Sequence, residues 1–96
     1  MEHGKVDGNQ GDVVKALRKA GCVVEITSDL GSGFPDLVVG FRDGLDYFIA
    51  VMEVKMPNGK LTDKEKEFSV RWAPWKDKLY FVVHSPEQAL KAIGKL

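Results

Sequence analysis

Apolar positions along this chain change their period several times, and each change marks an element. Between Asn9 and Ala20, Val13, Val14, Leu17 and Ala20 fall on one helical stripe, Lys15, Arg18 and Lys19 lie outside it, and Gly21 is a natural stop. Cys22 to Thr27 is a short β-rich run. Ser28 to Pro35 carries turn residues throughout and reads as a loop. Asp36 to Phe41 and Tyr47 to Lys55 read as two strands, and Arg42 to Asp46 between them is short enough for a hairpin. Pro57-Asn58-Gly59 ends the second strand. A helix then opens with a capping-box pattern, Thr62 at the cap and Glu65 at its third position, carries Phe68 and Trp72, and ends by Pro74. Leu79 to His84 is an apolar strand, and Ser85-Pro86 caps a last helix with Leu90 and Ile93 facing inward. The order α-β-β-β-α-β-α predicts an α/β fold, a four-stranded mixed sheet flanked by helices in two or three layers.

Length and composition narrow this picture. With 96 residues, the expectation is a single domain over 1–96, and a 44% hydrophobic content leaves little apolar surface to spare. A dimer would cover more of it. The single cysteine, Cys22, has no internal disulfide partner, which fits a reducing intracellular setting and a small buried hydrophobe. Met1-Glu2-His3-Gly4 has no signal-peptide character, and no run approaches membrane-spanning length, so a cytoplasmic protein without a membrane is expected. His3 is too near the terminus to interpret.

Charge excludes a strongly basic protein, because the formal net charge is zero. Its distribution is uneven. From Lys55 to Lys78, Lys55, Lys60, Lys64, Lys66, Arg71, Lys76 and Lys78 outnumber Asp63, Glu65, Glu67 and Asp77, so a local basic face is possible.

Candidate chemistry lies between Gly33-Phe34-Pro35-Asp36 and Glu53-Val54-Lys55. Pro35 holds the chain extended before Asp36. Strand alternation puts Glu53 and Lys55 on one face with Val51, while Met52 and Val54 face the other way. A carboxylate and an ammonium on an apolar strand are costly to bury unless they pair or bind an ion. If the two strands form a hairpin, Asp36 and Glu53 approach each other at its open end. A divalent cation would remove their repulsion, and hard oxygen ligands suit magnesium or manganese. Such an ion can polarise a phosphodiester and acidify a water, with Lys55 stabilising the developing charge.

These residues resemble a known family. Gly33-x-Pro35-Asp36-Leu37-Val38-Val39-Gly40, then Glu53-Val54-Lys55, then Leu61-Thr62-x-x-Glu65-x-x-Phe68 are similar to the compact phage and bacterial VRR-NUC branch of the PD-(D/E)XK nucleases. The resemblance covers nearly the whole chain and implies a restriction-endonuclease-like core. It implies Asp36 and Glu53 as metal ligands, completed by the Val54 main-chain carbonyl, with Lys55 as the catalytic lysine. Gln10 best matches the place of the family's first-helix residue, where an amide would hold a metal-bound water; Asp12 is the nearest acid. The family's second helix usually carries glutamine where this chain has Glu65, and capping alone accounts for Glu65.

The resemblance further implies a Mg2+- or Mn2+-dependent endodeoxyribonuclease of a phage or bacterial cell, selective for branched DNA such as Holliday junctions. A two-fold homodimer would bring two sites to two strands. The alternative is a non-catalytic nucleic-acid-binding module of the same fold, although pure binding has no use for two carboxylates near phosphate. Among the remaining residues, Gly31 and Gly33 are expected to allow tight backbone geometry beside the site. Trp72 is expected in the core, Trp75 is open between base stacking and an interface, and His84 is structural.

Overall fold

The computed structural model describes residues 9–96, so His3 and the rest of 1–8 lie outside the described residues. Helix α1 (Gln10–Lys19) is followed by strand β1 (Val23–Ile26) and a single 3-10 turn at Ser28–Leu30. The hairpin of β2 (Leu37–Asp43) and β3 (Asp46–Val54) comes next, then α2 (Asp63–Arg71), a second 3-10 turn at Ala73–Trp75, β4 (Tyr80–Val83) and α3 (Pro86–Ala92).

The sheet order is β1-β2-β3-β4, antiparallel except for the parallel β3–β4 pair, so the sheet is mixed as its sequence pattern predicts. The hairpin is tighter than the Arg42–Asp46 connection expected from turn residues. Pairing runs out to Asp43 and Asp46 and leaves Gly44 and Leu45 as the turn. Gly44 has φ +64° at the first turn position, where two-residue turns that match the strand twist require positive φ.

Helices cover both faces, which makes three layers. Val13, Val14 and Leu17 of α1 and Ala89 and Ile93 at α3 pack with Leu37, Val39, Ala50, Met52, Val54, Phe81 and Val83 on one face. Cys22 is buried in that core, where burial pushes its thiol up. The other face carries a smaller cluster of Val51, Tyr80 and Phe68 of α2, with Phe34, Val38 and Trp72 against it. Trp72 ends α2 and stacks on Phe68 with ring centroids 5.3 Å apart, in keeping with its expected packing role, while Trp75 is exposed. Among the described residues no helix is long and apolar enough to cross a membrane.

Candidate active site

Register does most of the work of bringing the acidic residues together. The last hairpin pair is Leu37 with Met52, and one further antiparallel step sets Asp36 opposite Glu53. Asp36 is held there through its backbone. Its carbonyl accepts the Thr27 N–H at 2.7 Å, and the Thr27 hydroxyl donates to the Pro35 carbonyl at 2.8 Å. The Lys55 N–H donates to Val83 on β4 at 2.9 Å, so alternation turns the Val54 N–H toward β2. Beyond the last ladder pair on that side, Asp36 Oδ2 accepts it at 2.9 Å. The Asp36 carboxylate thus closes the end of the hairpin ladder while facing Glu53.

Parity sends the rest to one side. Val51 lies in the α2-side cluster and Met52 and Val54 in the opposite core, so Glu53 and Lys55 share the α2 face as alternation predicts. Glu53 is only 3% exposed. Burial first, then the negative charges of Asp36 and Glu65, push its carboxyl up to about 9, with Lys55 opposing. Burial also raises Asp36, against the lowering effect of the Val54 N–H, of a hydrogen bond with Glu53 and of Lys55. Two carboxyl groups in this setting share a proton near neutral pH, as like charges in contact cannot both ionise.

Lys55 lies between two acids. Its Nζ is 3.5 Å from Glu53 Oε2 and 2.9 Å from Glu65 Oε1. Burial raises Glu65, but the hydrogen bonds from Lys55 and from the Thr62 backbone outweigh it and hold that carboxyl below its ordinary range. The capping box formed by Thr62 and Glu65 is present, as the pattern predicts. The same residue also meets Lys55, which the capping pattern alone does not reveal.

Helix α1 reaches this end of the sheet through Asn9. The Asn9 side-chain amide donates to the Lys55 carbonyl at 3.2 Å and to the His84 carbonyl at 2.6 Å, clasping the helix start to the ends of β3 and β4. No sequence signal marks this; an asparagine before a helix reads as an ordinary cap, yet it makes no side-chain cap bond. Gln10 is next to it and 3% exposed. Its amide nitrogen makes one long contact, 3.5 Å to Ser28 Oγ, and its Oε1 has no hydrogen-bond partner among the described residues. Asp12 is exposed on the same helix. His84 hydrogen-bonds Gln88 of α3, consistent with a structural part.

Among the described residues no three His, Cys, Asp or Glu side chains are grouped to hold a metal ion. A cation here would draw on the Asp36 and Glu53 carboxylates and on neutral oxygens. Two opposed carboxyl groups that burial pushes up fit the donor set of a hard divalent cation, and the buried Gln10 Oε1, at the helix start that Asn9 ties to Lys55, is a further oxygen without a partner among the described residues.

Against known families, residues 8–71 match the VRR-NUC domain, a span that includes Gln10, Asp36, Glu53, Lys55 and Glu65. No curated protein and no solved structure matches the chain.

Proposed function

The chain belongs to the VRR-NUC family, nuclease domains of the PD-(D/E)XK superfamily, and from that membership we propose that it is a Mg2+- or Mn2+-dependent endonuclease. Its substrate is DNA, and it selects branched structures such as Holliday junctions rather than a base sequence. The observation that carries this reading is the opposed pair Asp36 and Glu53 with Lys55 on the face of Glu53. The balanced charge favours selection by substrate shape over adhesion to a broad basic surface.

Asp36, Glu53 and the Val54 carbonyl would hold the cation, which supplies Lewis acidity to the scissile phosphate and acidifies a water. Deprotonation of the Asp36–Glu53 pair readies it for that role. Gln10 Oε1 orients a water at the site by accepting a hydrogen bond from its O–H. Lys55 stabilises the negative charge that builds on the phosphoryl oxygens and keeps the attacking water aligned. A two-fold homodimer would bring one such site to each of two strands of a symmetric junction.

The test uses labelled four-way junction, flap, linear duplex and single-stranded DNA, with RNA counterparts, in Mg2+, Mn2+ or chelator. Wild type is expected to cut the junction best and only with metal, while Asp36→Ala and Lys55→Ala bind it without cutting. Binding with no cleavage by wild type in metal would hand the protein to the non-catalytic binding-module reading. Normal cutting by Lys55→Ala would remove the lysine from the chemistry.

A further inference from the structure

Glu53 and Glu65 both touch Lys55, and the nearer of the two is Glu65, which the proposed chemistry does not use. Glu53 cannot serve a cation and the ammonium at full strength together. A second anion that has no metal to serve would keep Lys55 in place when Glu53 is engaged. We propose that Glu65 is the positioning residue of Lys55, a carboxylate fixed in advance by the cap of α2 that clamps the ammonium in its working place. The inference rests on the reading of Lys55 as the site lysine.

The clamp is built rather than incidental. Glu65 Oε1 accepts the Thr62 N–H at 2.8 Å and the Lys55 ammonium at 2.9 Å, so the cap aims the oxygen that holds the lysine. The Glu65 N–H donates to Thr62 Oγ1 at 3.2 Å, which locks the first turn from the other side. That turn is set directly against the loop that carries Asp36. Gly33 has φ +83°, and a Cβ there would run into the Lys64 carbonyl. Phe34 next to it packs edge-on against Phe68 of α2, with centroids 5.6 Å apart. Lys55 and Glu65 are 14% and 18% exposed, so their pair is shielded where a surface ion pair would be loose and screened.

Three variants separate the cap from the clamp. Glu65→Gln keeps an oxygen for the Thr62 N–H, since glutamine also completes a capping box, but removes the charge. Glu65→Asp keeps the charge and falls one methylene short of Lys55. Thr62→Ala removes the hydroxyl half of the cap and leaves the Glu65 carboxylate. Each is followed by its melting temperature, by the 15N signal of the Lys55 ammonium, which is visible only while its protons exchange slowly, and by steady-state cleavage of the junction.

Glu65→Gln and Glu65→Asp are expected to lose the ammonium signal and about 10- to 100-fold in kcat at unchanged KM, the scale of a misplaced catalytic group. Glu65→Gln should melt near wild type. Thr62→Ala should melt lower yet keep the signal and kcat, because the main-chain N–H that aims Glu65 Oε1 does not depend on the hydroxyl. The proposal is overturned if Glu65→Asp retains both signal and kcat, or if Thr62→Ala loses kcat as Glu65→Gln does. Should wild type cut nothing, the ammonium signal alone decides: its loss in both Glu65 variants supports the clamp while the nuclease reading falls.

Discussion

Asp36 Oδ2 accepts the main-chain N–H of Val54 at 2.9 Å, so the residue proposed to bind metal also finishes the hairpin ladder. Val54 is fully buried, and losing its acceptor strands a donor. Asp36→Ala is therefore expected to cost about 1–3 kcal/mol of stability in addition to abolishing cleavage. Asp36→Asn retains an acceptor and should stay within about 1 kcal/mol of wild type while remaining inactive. Urea unfolding beside the junction assay checks both; equal stability of the two variants would count against the ladder role.

The shared proton predicts an inverted pH profile for the metal-free protein. An ordinary glutamate ionises near 4.5, whereas Glu53 in the fold holds its proton up to about 9. Across that window the unfolded chain gives up a proton that the folded chain keeps, so stability is full below it and is lost as pH rises through it. Glu53→Gln has no proton to lose and should flatten the loss. Melting in chelator from pH 5 to 9 reads this directly, and a wild-type profile as flat as that of the variant would refute it.

Metal should reverse the trend. A cation that replaces the shared proton binds more tightly as pH rises, and its stabilisation of the fold grows with the logarithm of its free concentration relative to its Kd. The rise in melting temperature on adding Mg2+ or Mn2+ is expected to grow from pH 6 to pH 8.5 in wild type. It should vanish in Glu53→Gln. A pH-independent increment in wild type would place the ion elsewhere.

Gln10 offers a trade between stability and function. Its buried Oε1 has no partner among the described residues, and such an atom typically costs about 1–3 kcal/mol. Gln10→Leu should leave the metal-free protein as stable as wild type or more so, because among the described residues the hydrogen bond given up is one long contact to Ser28. Metal affinity should fall, measured by isothermal titration with Mn2+. A destabilised variant with undiminished affinity would assign Gln10 to the core instead.

Among the described glycines, Gly33 is the one where an added Cβ meets backbone most closely. A left-handed backbone costs a non-glycine residue about 1–2 kcal/mol, and Gly33→Ala adds a collision with the Lys64 carbonyl. The variant should lose more than that strain alone and should cut more slowly, because the loop bearing Asp36 and the helix bearing Glu65 must part. Gly31, with φ +71° and ψ −166° but open space at its Cβ, should pay only its own backbone strain, about 1–3 kcal/mol. Comparing the two alanine variants by melting isolates the close approach.

How far the chain could be read in advance depends on the range of each interaction. Strand parity is local, so the common face of Glu53, Lys55 and Val51 follows from their spacing. The opposition of Asp36 and Glu53 needed only a hairpin, whose exact turn the Gly44 backbone sets. The cap at Thr62 was legible for the same reason. What could not be read joins distant segments. Glu65 shows its capping role within four residues but meets Lys55 only through the β3–α2 packing. Asn9 reaches carbonyls 46 and 75 positions away, and no local pattern encodes that.

The Asn9 clasp also sets the order in which the protein can be finished. A ribosome releases the hairpin and its acidic pair well before it reaches His84, so Asp36 and Glu53 can meet while the clasp is still without its second carbonyl. Contacts this far apart in sequence close late, because the loop-closure entropy must be met before the contact rewards it. A growing or truncated chain that stops short of His84 therefore ties the start of α1 to β3 alone, through the Lys55 carbonyl, and the clasp is complete only once synthesis has passed the last strand.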